Sequence, residues 1–287
     1  MATDTTRAAG VHRRSRARNT ARAIALALAF ALGLAASQPS AAASAAEGAG
    51  PHAAAAIGVH YIPPALKPGA SPRTPEGVEW AILERMHDQE RGAVRPVGLS
   101  PDQAGNVVRT GGVALALAAL PANAGLAWGG ARVVPLGYNF GAMAIMRSDT
   151  DITRWEQLRG RKVCVAQGGW FAGSITSRFG AVELAHPSPA DALIGLRVGD
   201  CDAAVHDSQL LEELVKFPEW KKFSARLPVI DERQLAFLVA ETPSPAYELA
   251  RRTARQWRGS AFPRLVRQMA QNIAFEVYLD QDVPDCH

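Results

Sequence analysis

An aspartate ends a short apolar strand in the segment GDCDAAVHD, residues 199–207. Residues 203–205 predict a buried strand that runs directly into His206 and Asp207. A carboxylate at this position can cap a helix or close a turn, and it can also bind a cationic group by a charge-assisted hydrogen bond. Adjacent residues of a strand point to opposite faces, so we do not expect His206 and Asp207 to share a site.

The other reactive residue types form no recognisable catalytic or metal-binding motif. The seven histidines are scattered, and Cys164, Cys201 and Cys286 have none of the spacings of a zinc site. The chain also contains no P-loop, GxSxG or CxxC motif. The sequence therefore predicts no metal, no cofactor and no enzymatic activity.

The first 45 residues have the three-part pattern of a secretory signal peptide. A basic start is followed by 14 apolar residues, 23–36, and Ala43-Ser44-Ala45 matches an A-x-A cleavage site. The apolar run is too short to span a bilayer comfortably, although an uncleaved anchor stays an alternative. The Arg13-Arg14 pair leaves twin-arginine export open beside the general secretory route.

Removal of this segment changes the charge of the protein. It holds six arginines and one aspartate, which leaves 25 basic and 26 acidic residues in 46–287. No later basic patch is interleaved with aromatic residues, so nucleic acid is not an expected partner. The first cysteine is Cys164, and no lipid-anchor cysteine follows the signal. We expect a soluble protein of the periplasm.

An exported chain with three cysteines can form one disulfide. Cys164 lies inside one predicted strand, and Cys201 opens the strand that leads to Asp207. If these strands are neighbours, Cys164 pairs with Cys201. A pairing of Cys201 with Cys286 stays open, because spacing does not determine connectivity.

Strands alternate with helices along the mature chain, which predicts parallel sheets and an α/β fold. Two windows align without gaps: SPDQAGNVVRTGGVALALAAL from Ser100 and SPADALIGLRVGDCDAAVHDS from Ser188. Each predicts a capped helix, a glycine stop and an apolar strand. The chain is therefore predicted to contain two αβ halves of similar design, in which Asp207 falls opposite Ala119.

Helices are also predicted near both ends of the mature chain. In TPEGVEWAILERMHDQE, Thr74 is a candidate cap and Pro75 stands at the first helical position. Residues 243–275 are predicted to be largely helical, with exposed faces rich in arginine.

The order of these segments resembles the amino-acid-type periplasmic solute-binding proteins, family 3, of which this chain would be a divergent member. ITRWEQLRGRKVCVAQGG resembles the entry to that family's second lobe. SPADALIGLRVGDCDAAVHD resembles its later helix and the strand that ends in aspartate. The resemblance covers most of 56–280 and is strongest across 138–228.

This resemblance implies the type II periplasmic-binding-protein fold, with two α/β lobes, a ligand cleft and two hinge strands. Lobe 1 would comprise residues 46–142 and the return segment 235–287 with its C-terminal helices. Lobe 2 would comprise residues 143–234. The hinge strands are expected near 141–147 and 235–240.

The resemblance also implies a ligand-binding site at the ends of strands, where ligands of open α/β sheets lie. Asp207 matches the aspartate that takes the ligand's ammonium group. Gly168-Gly169-Trp170 matches a loop whose backbone N–H groups contact ligand anions, although Trp170 could instead wall the cleft. Tyr61, after the first strand, matches an aromatic residue placed against the ligand.

The end of the first lobe's last strand departs from the family pattern. Leu120 and Asn123 are expected at the cleft, with Asn123 in the place of a threonine. Leu126 falls where the family has the arginine that clamps a ligand α-carboxylate, and the nearest arginine is Arg132. An amine, a cation held partly by aromatic faces such as Trp128, or a neutral polar molecule is therefore favoured over an ordinary amino acid.

These features predict a monomeric, exported solute-binding protein that passes a small ligand to an inner-membrane ABC permease. Two alternatives stay open. Divergent members without the arginine clamp resemble accessory binding proteins of periplasmic quinoprotein dehydrogenases or sensor systems. The same fold also hosts dehydratases for prephenate- or arogenate-like acids, but such an enzyme needs a cationic clamp for carboxylates and a positioned acid.

Overall fold

The structure, a computed structural model, describes residues 55–65, 68, 71–91, 94–240 and 243–280. The signal peptide predicted over 1–45 and the alternative disulfide partner Cys286 lie outside these residues. Within the described ranges, no helix combines the length and the apolarity that a membrane span requires.

The described residues form strands and helices in alternation, with short loops between them. The strands are β1 (Ala55–Val59), β2 (Val94–Gly98), β3 (Leu115–Pro121), β4 (Ala127–Trp128), β5 (Ala131–Met146), β6 (Lys162–Ala166), β7 (Val182–His186), β8 (Ala203–Asp207), β9 (Ala225–Arg226) and β10 (Ile230–Val239). The helices are α1 (Glu79–Gln89), α2 (Pro101–Arg109), α3 (Ser174–Phe179), α4 (Pro189–Val198), α5 (Ser208–Leu214), α6 (Pro245–Gln256) and α7 (Ala261–Leu279). Short 3-10 helices cover Trp155–Leu158 and Pro218–Phe223.

The strands form one sheet whose two halves repeat the same pattern. In the first half, β2, β1 and β3 are parallel, β10 is antiparallel to β3, and β5 is antiparallel to β10. In the second half, β7, β6 and β8 are parallel, β5 is antiparallel to β8, and β9 is antiparallel to β5. β3 and β8 hold equivalent places, and they are the strands that end the two matching sequence windows. The predicted α/β fold and internal repeat are confirmed.

Strand β5 joins the two halves. Its residues from 132 to 142 pair with β10, and its residues 142–146 pair with β8 and β9, so the partners change at Ala142. The hinge predicted near 141–147 falls on this change of partner. Residues 235–239, in contrast, lie between β3 and β5 inside the first half, and the chain returns to that half earlier, between β9 and β10. This run is apolar because it is a central strand, buried on both faces.

Strand β3 shows how the sheet divides the apolar core. Leu115, Leu117 and Ala119 face the larger hydrophobic cluster. The alternate residues Ala116, Ala118 and Leu120 face a smaller cluster that α2 covers with Ala104 and Val108. The two-residue period of the strand therefore places Leu120 in the core beneath α2.

A disulfide joins Cys164 to Cys201, the first of the two pairings considered above. β6 and β8 are neighbours in the sheet, and Cys164 stands opposite Ala204 in their register. The Cα atoms of the two cysteines lie 5.8 Å apart, within the range that a disulfide requires. The bond anchors the loop that enters β8, and hence the strand that carries Asp207.

Helix α1 begins at Glu79 rather than at Pro75, so the predicted first turn is wrong. The backbone N–H and the hydroxyl of Thr74 donate to Glu276 Oε1 in α7, at 2.8 and 2.6 Å, instead of capping α1. Gly77 has a φ of +77°, which is incompatible with a right-handed helix. The segment before α1 therefore stays non-helical and carries Glu76 toward the ends of β6 and β8.

Candidate functional site

A small pocket lies at the carboxyl ends of β6 and β8, beside the start of α1. Its walls come from β5, from the loop after β6, from the end of β8 and from residues 76–79. The cavity volume is about 20 Å³, which is room for about one water molecule. The chain's own side chains therefore fill most of this region.

Asp207 has both of the roles considered for its sequence position, because it caps a helix and lines the pocket. Its Oδ1 accepts from the backbone N–H of Gln209 at 2.7 Å and caps α5. Its Oδ2 accepts from the hydroxyl of Tyr138 at 2.6 Å and lines the pocket. Burial raises the pKa of Asp207 to about 6, although the neighbouring His206 and Tyr138 act in the opposite direction.

Tyr138 reaches Asp207 because β5 contains a bulge. The register with β10 shifts between the pairs Leu235–Tyr138 and Ala236–Pro135, and Gly137 in the bulge has a φ of +81°. Bulges of this kind redirect a side chain, here the phenol of Tyr138. Burial, reinforced by Asp207, raises the pKa of Tyr138 well above its ordinary value, so this group stays a neutral donor. A glycine inside a strand is the sequence signal for such a bulge, and Tyr138 was not among the predicted site residues.

His206 and Glu76 form a buried pair in the same pocket. His206 Nε2 lies 2.8 Å from Glu76 Oε2, and the two side chains are 8% and 7% exposed. His206 Nδ1 accepts from the backbone N–H of Asp207 at 2.7 Å. Burial disfavours the imidazolium, but the Glu76 carboxylate outweighs it and raises the pKa of His206.

The prediction that His206 and Asp207 do not share a site is wrong. Both residues line one pocket, because the pocket lies beyond the end of β8 rather than on one face of the sheet. Asp207 already has the backbone geometry of a helix cap, with φ −52° and ψ 126°. Strict alternation therefore no longer governs where its side chain points.

Trp170 and Glu79 form the opposite wall. The indole Nε1 of Trp170 donates to Glu79 Oε1 in the first turn of α1. The Trp170 ring also stacks on His60, with the ring centres 4.3 Å apart. Burial raises the pKa of Glu79 to about 7. Burial and then the charge of Arg233 lower the pKa of His60, which favours its neutral form.

Tyr61 and the loop 168–170 meet, although the loop does not offer all of its predicted contacts. The Tyr61 ring lies against Gly168, whose φ is +80° and whose missing side chain leaves space for the ring. Gly169 lines the pocket, but its N–H donates to the carbonyl of Ala166 at 3.1 Å. That amide is thus part of a turn and is not directed at an anion.

Leu120 and Asn123 are not brought to the pocket. Leu120 is 2% exposed within the smaller hydrophobic cluster under α2. Asn123 is exposed in the turn after β3. The side chain of Gln234 donates to carbonyls of that turn, at 3.2 Å for Ala122 and 3.1 Å for Ala124, and fastens it there.

The pocket is acidic. Among the described residues that line it are three carboxylates, Glu76, Glu79 and Asp207, but no lysine or arginine. Arg132, the nearest arginine to the missing clamp, lies instead over the ring of Tyr247 in α6, with its Cζ 5.3 Å from the ring centre. Arg233 in β10 approaches from the side, with its Cζ 5.7 Å from the ring of Phe171.

The segment 71–76, which we call the strap, reaches this pocket with Glu76. Arg73 pairs with Asp280 and, at 3.2 Å, with Asp191 in the first turn of α4. Thr74 is bonded to Glu276 in α7, as described above. The strap thus connects the start of α1 to α4 and to the end of α7, and it holds Glu76 against His206.

Comparison with protein-family models finds no match, and no curated protein matches this chain. Solved structures of similar fold include holo ArgBP from T. maritima, with 16% identity and a TM-score of 0.44, covering 75% of this chain and 95% of that chain. Cysteine-binding protein from Campylobacter jejuni has 16% identity and a TM-score of 0.45, covering 81% and 93%. The ancestral amino acid-binding protein AncCDT-1, a precursor of cyclohexadienyl dehydratase, has 15% identity and a TM-score of 0.47, covering 76% and 95%.

Proposed function

We propose that this protein is an exported solute-binding protein that captures a small amine-bearing ligand and presents it to an inner-membrane ABC permease. The observation that carries this proposal is the concentration of three carboxylates around one pocket without lysine or arginine in its described lining. The pocket lies at the carboxyl ends of parallel strands, where ligands of α/β proteins bind. Its chemistry suits a cation.

An ammonium group in this pocket donates to Asp207 and Glu79. The phenol of Tyr138 already donates to Asp207 and keeps that carboxylate in position. Trp170, stacked on His60, supplies an aromatic wall against which the apolar part of a ligand or a cation can pack. Charge-assisted hydrogen bonds of this kind are worth about 1.5–3 kcal/mol each.

The ligand enters through an open form of the protein. The cavity of about 20 Å³ is too small for an organic amine. Two places allow opening: the change of partner in β5 near residue 141, and the return segment between β9 and β10. Movement of one half of the sheet against the other, with release of the strap, exposes the carboxylates, and closure then buries the ligand.

One observation favours the accessory-protein alternative as a second candidate. The strap is tied to α4 and α7, and the Glu76–His206 pair occupies the place where a ligand would sit. A protein held closed in this way suits docking onto a partner, such as a periplasmic quinoprotein dehydrogenase or a sensor, more than repeated delivery. A dehydratase is less favoured, because its substrate carboxylates need a cationic clamp.

A thermal-shift screen of the mature protein, residues 46–287, tests the proposal. The probes are polyamines, quaternary amines, amino acids, sugars, small alcohols and aromatic acids. We expect an amine to raise the Tm by mass action. Asp207→Asn should weaken its binding about 10- to 100-fold, and the matched surface variant Asp200→Asn should leave it unchanged.

Two other outcomes of the screen would contradict the proposal. If no solute raises the Tm, the transport proposal fails and the accessory role gains support, which co-purification with a dehydrogenase then tests. If an ordinary amino acid binds and Asp207→Asn has no effect, the site described here is not the ligand site.

A further inference from the structure

Four arginines line one surface concavity between β5 and α6, away from the acidic pocket. They are Arg132 in β5 and Arg251, Arg255 and Arg258 in and just after α6. We call this feature the arginine concavity. Its volume is about 330 Å³, which lies within the range of small-molecule sites. The rest of its described lining is apolar or aromatic and contains no carboxylate.

Two of the guanidinium groups are held over the same aromatic ring. The Cζ atoms of Arg132 and Arg251 lie 5.3 and 5.5 Å from the ring centre of Tyr247. Such cation–π contacts restrict long, flexible side chains. Binding of an anion between these two side chains therefore loses less conformational entropy than binding between two flexible arginines.

The charges of Arg255 and Arg258 in the arginine concavity are poorly balanced. Arg251 approaches Glu248 at 3.8 Å, across an exposed surface. Within the part of the chain that the structure describes, the guanidinium groups of Arg255 and Arg258 have no hydrogen bond or ion pair. Arg251 and Arg255 lie four residues apart on α6, and Arg258 follows just after the helix, so neighbouring charges repel one another.

Helix stability accounts for only part of this arrangement. Cations near the C-terminus of α6 interact favourably with the helix dipole, which explains Arg255 and Arg258. Arg132 comes from a strand, faces the same concavity and brings a fourth guanidinium group to it. An anion in the concavity would supply the partner that Arg255 and Arg258 lack.

We propose that the arginine concavity binds an oxyanion of the phosphate class with two or more negative charges. The planar fork of arginine matches the oxygen atoms of phosphate with paired hydrogen bonds, and several forks around one tetrahedral anion neutralise its charge. The phosphate belongs either to a free phosphate ester or to a lipid headgroup. None of the four arginines lines the acidic pocket, so this site goes beyond the proposed function and does not depend on it.

Calorimetry and thermal shift of the mature protein test this site. The probes are inorganic phosphate and glycerol phosphate, with acetate and chloride at matched ionic strength as controls. We expect saturable binding of the two phosphate probes, a rise in Tm, and no effect of acetate beyond that of chloride. The double variant Arg255→Gln/Arg258→Gln should weaken phosphate binding at least about tenfold.

A charge-matched variant separates a site from general screening. Arg252→Gln/Arg264→Gln removes two exposed arginines whose partners in the structure are Glu90 and Ser260, outside the concavity. It should bind phosphate like the wild type. If both double variants lose phosphate binding equally, only net charge matters and the proposal is overturned. Asp207→Asn should leave phosphate binding intact, which separates this result from any failure at the acidic pocket.

Vesicle sedimentation distinguishes the two sources of phosphate. Binding to phosphatidylglycerol but not phosphatidylcholine vesicles, lost in Arg255→Gln/Arg258→Gln and competed by glycerol phosphate, identifies a lipid headgroup. Binding of glycerol phosphate without vesicle binding identifies a free ester. If neither probe binds, the proposal is wrong.

Discussion

The acidic pocket and the arginine concavity both bring charged side chains together, but the pocket buries them and the concavity keeps them at the surface. The pocket gathers three carboxylates around His206, and the concavity gathers four guanidinium groups. The carboxylates are taken out of water, and burial raises the pKa of Asp207 to about 6 and that of Glu79 to about 7. Arginine stays charged under all conditions that a protein experiences, so its cluster is found at the surface.

The difference shows how the environment of a cluster determines what it responds to. The buried pocket is sensitive to pH and to the loss of a partner, because interior charges are compensated by few specific contacts. The exposed concavity is sensitive to salt and to anions, because water and dissolved ions screen most of its positive charge.

The largest effect is expected from breaking the buried pair. His206→Ala leaves the Glu76 carboxylate buried without its partner and should lower the free energy of unfolding by about 3–5 kcal/mol. Replacing both residues by leucine should cost less than the single change, because no orphaned charge remains. Urea unfolding near neutral pH measures both variants. A loss below about 1 kcal/mol for His206→Ala would mean that water reaches Glu76 and that the pocket is not closed.

The next effect concerns the pH dependence of stability. The pKa of Glu79 is raised from 4.5 to about 7 and that of Asp207 from 3.8 to about 6, while the pKa of His206 is raised from 6.5. A raised pKa in the folded state means that the native protein binds more protons than the unfolded chain. The contribution of Glu79 to the free energy of unfolding is complete below pH 4.5 and is lost as the pH rises through about 7. The contribution of Asp207 is lost as the pH rises through about 6.

The free energy of unfolding should therefore fall as the pH rises through this window. Each proton contributes at most about 1.4 kcal/mol per pH unit. Glu79→Gln removes one such proton and should flatten the profile, whereas Arg255→Gln in the concavity should leave its shape unchanged. Urea unfolding at about pH 5, 6 and 7 measures the slope, and a flat or rising profile for the wild type contradicts the burial of these carboxylates.

A smaller effect is expected on ligand binding. An amine needs ionised carboxylates, so its affinity for the pocket should increase by up to about tenfold per pH unit as Asp207 and Glu79 ionise. Calorimetry in buffers of different ionisation enthalpy reports the protons released. Affinity that is independent of pH would place the ligand outside the acidic pocket.

The smallest effect is expected at the surface. Arg255→Gln and Arg258→Gln should each change the free energy of unfolding by less than about 0.5 kcal/mol. Loss of the favourable interaction with the helix dipole and relief of repulsion between the arginines act in opposite directions, and both should be screened at about 0.5 M NaCl. A decrease in the free energy of unfolding above about 1 kcal/mol would instead indicate that the arginine has a structural role.

Features with a local cause could be predicted from the sequence. Apolar runs are encoded in neighbouring residues, so the α/β alternation, the repeat of α2–β3 in α4–β8 and most strands are confirmed. Of the two caps predicted in that repeat, Ser188 bonds to the first turn of α4, whereas the Ser100 side chain makes no such bond to α2. Asp207 was predicted at the end of a strand by the same local signal, and the structure shows it as both a helix cap and a pocket residue.

Features with a distant cause required the tertiary structure. Glu76 meets His206 across 130 residues of chain, and Glu79 meets Trp170 across 91. Thr74 illustrates the reason, since its sequence context resembles a helix cap but Glu276, far along the chain, takes both of its donors. Leu120 was predicted at the cleft because it lies near the end of a strand, which the local sequence shows. The local sequence does not show that its side chain lies on the face of β3 that packs against α2. The sequence alone determined which segments form the sheet; only their packing decided which charges are buried together, because burial depends on neighbours from every part of the chain.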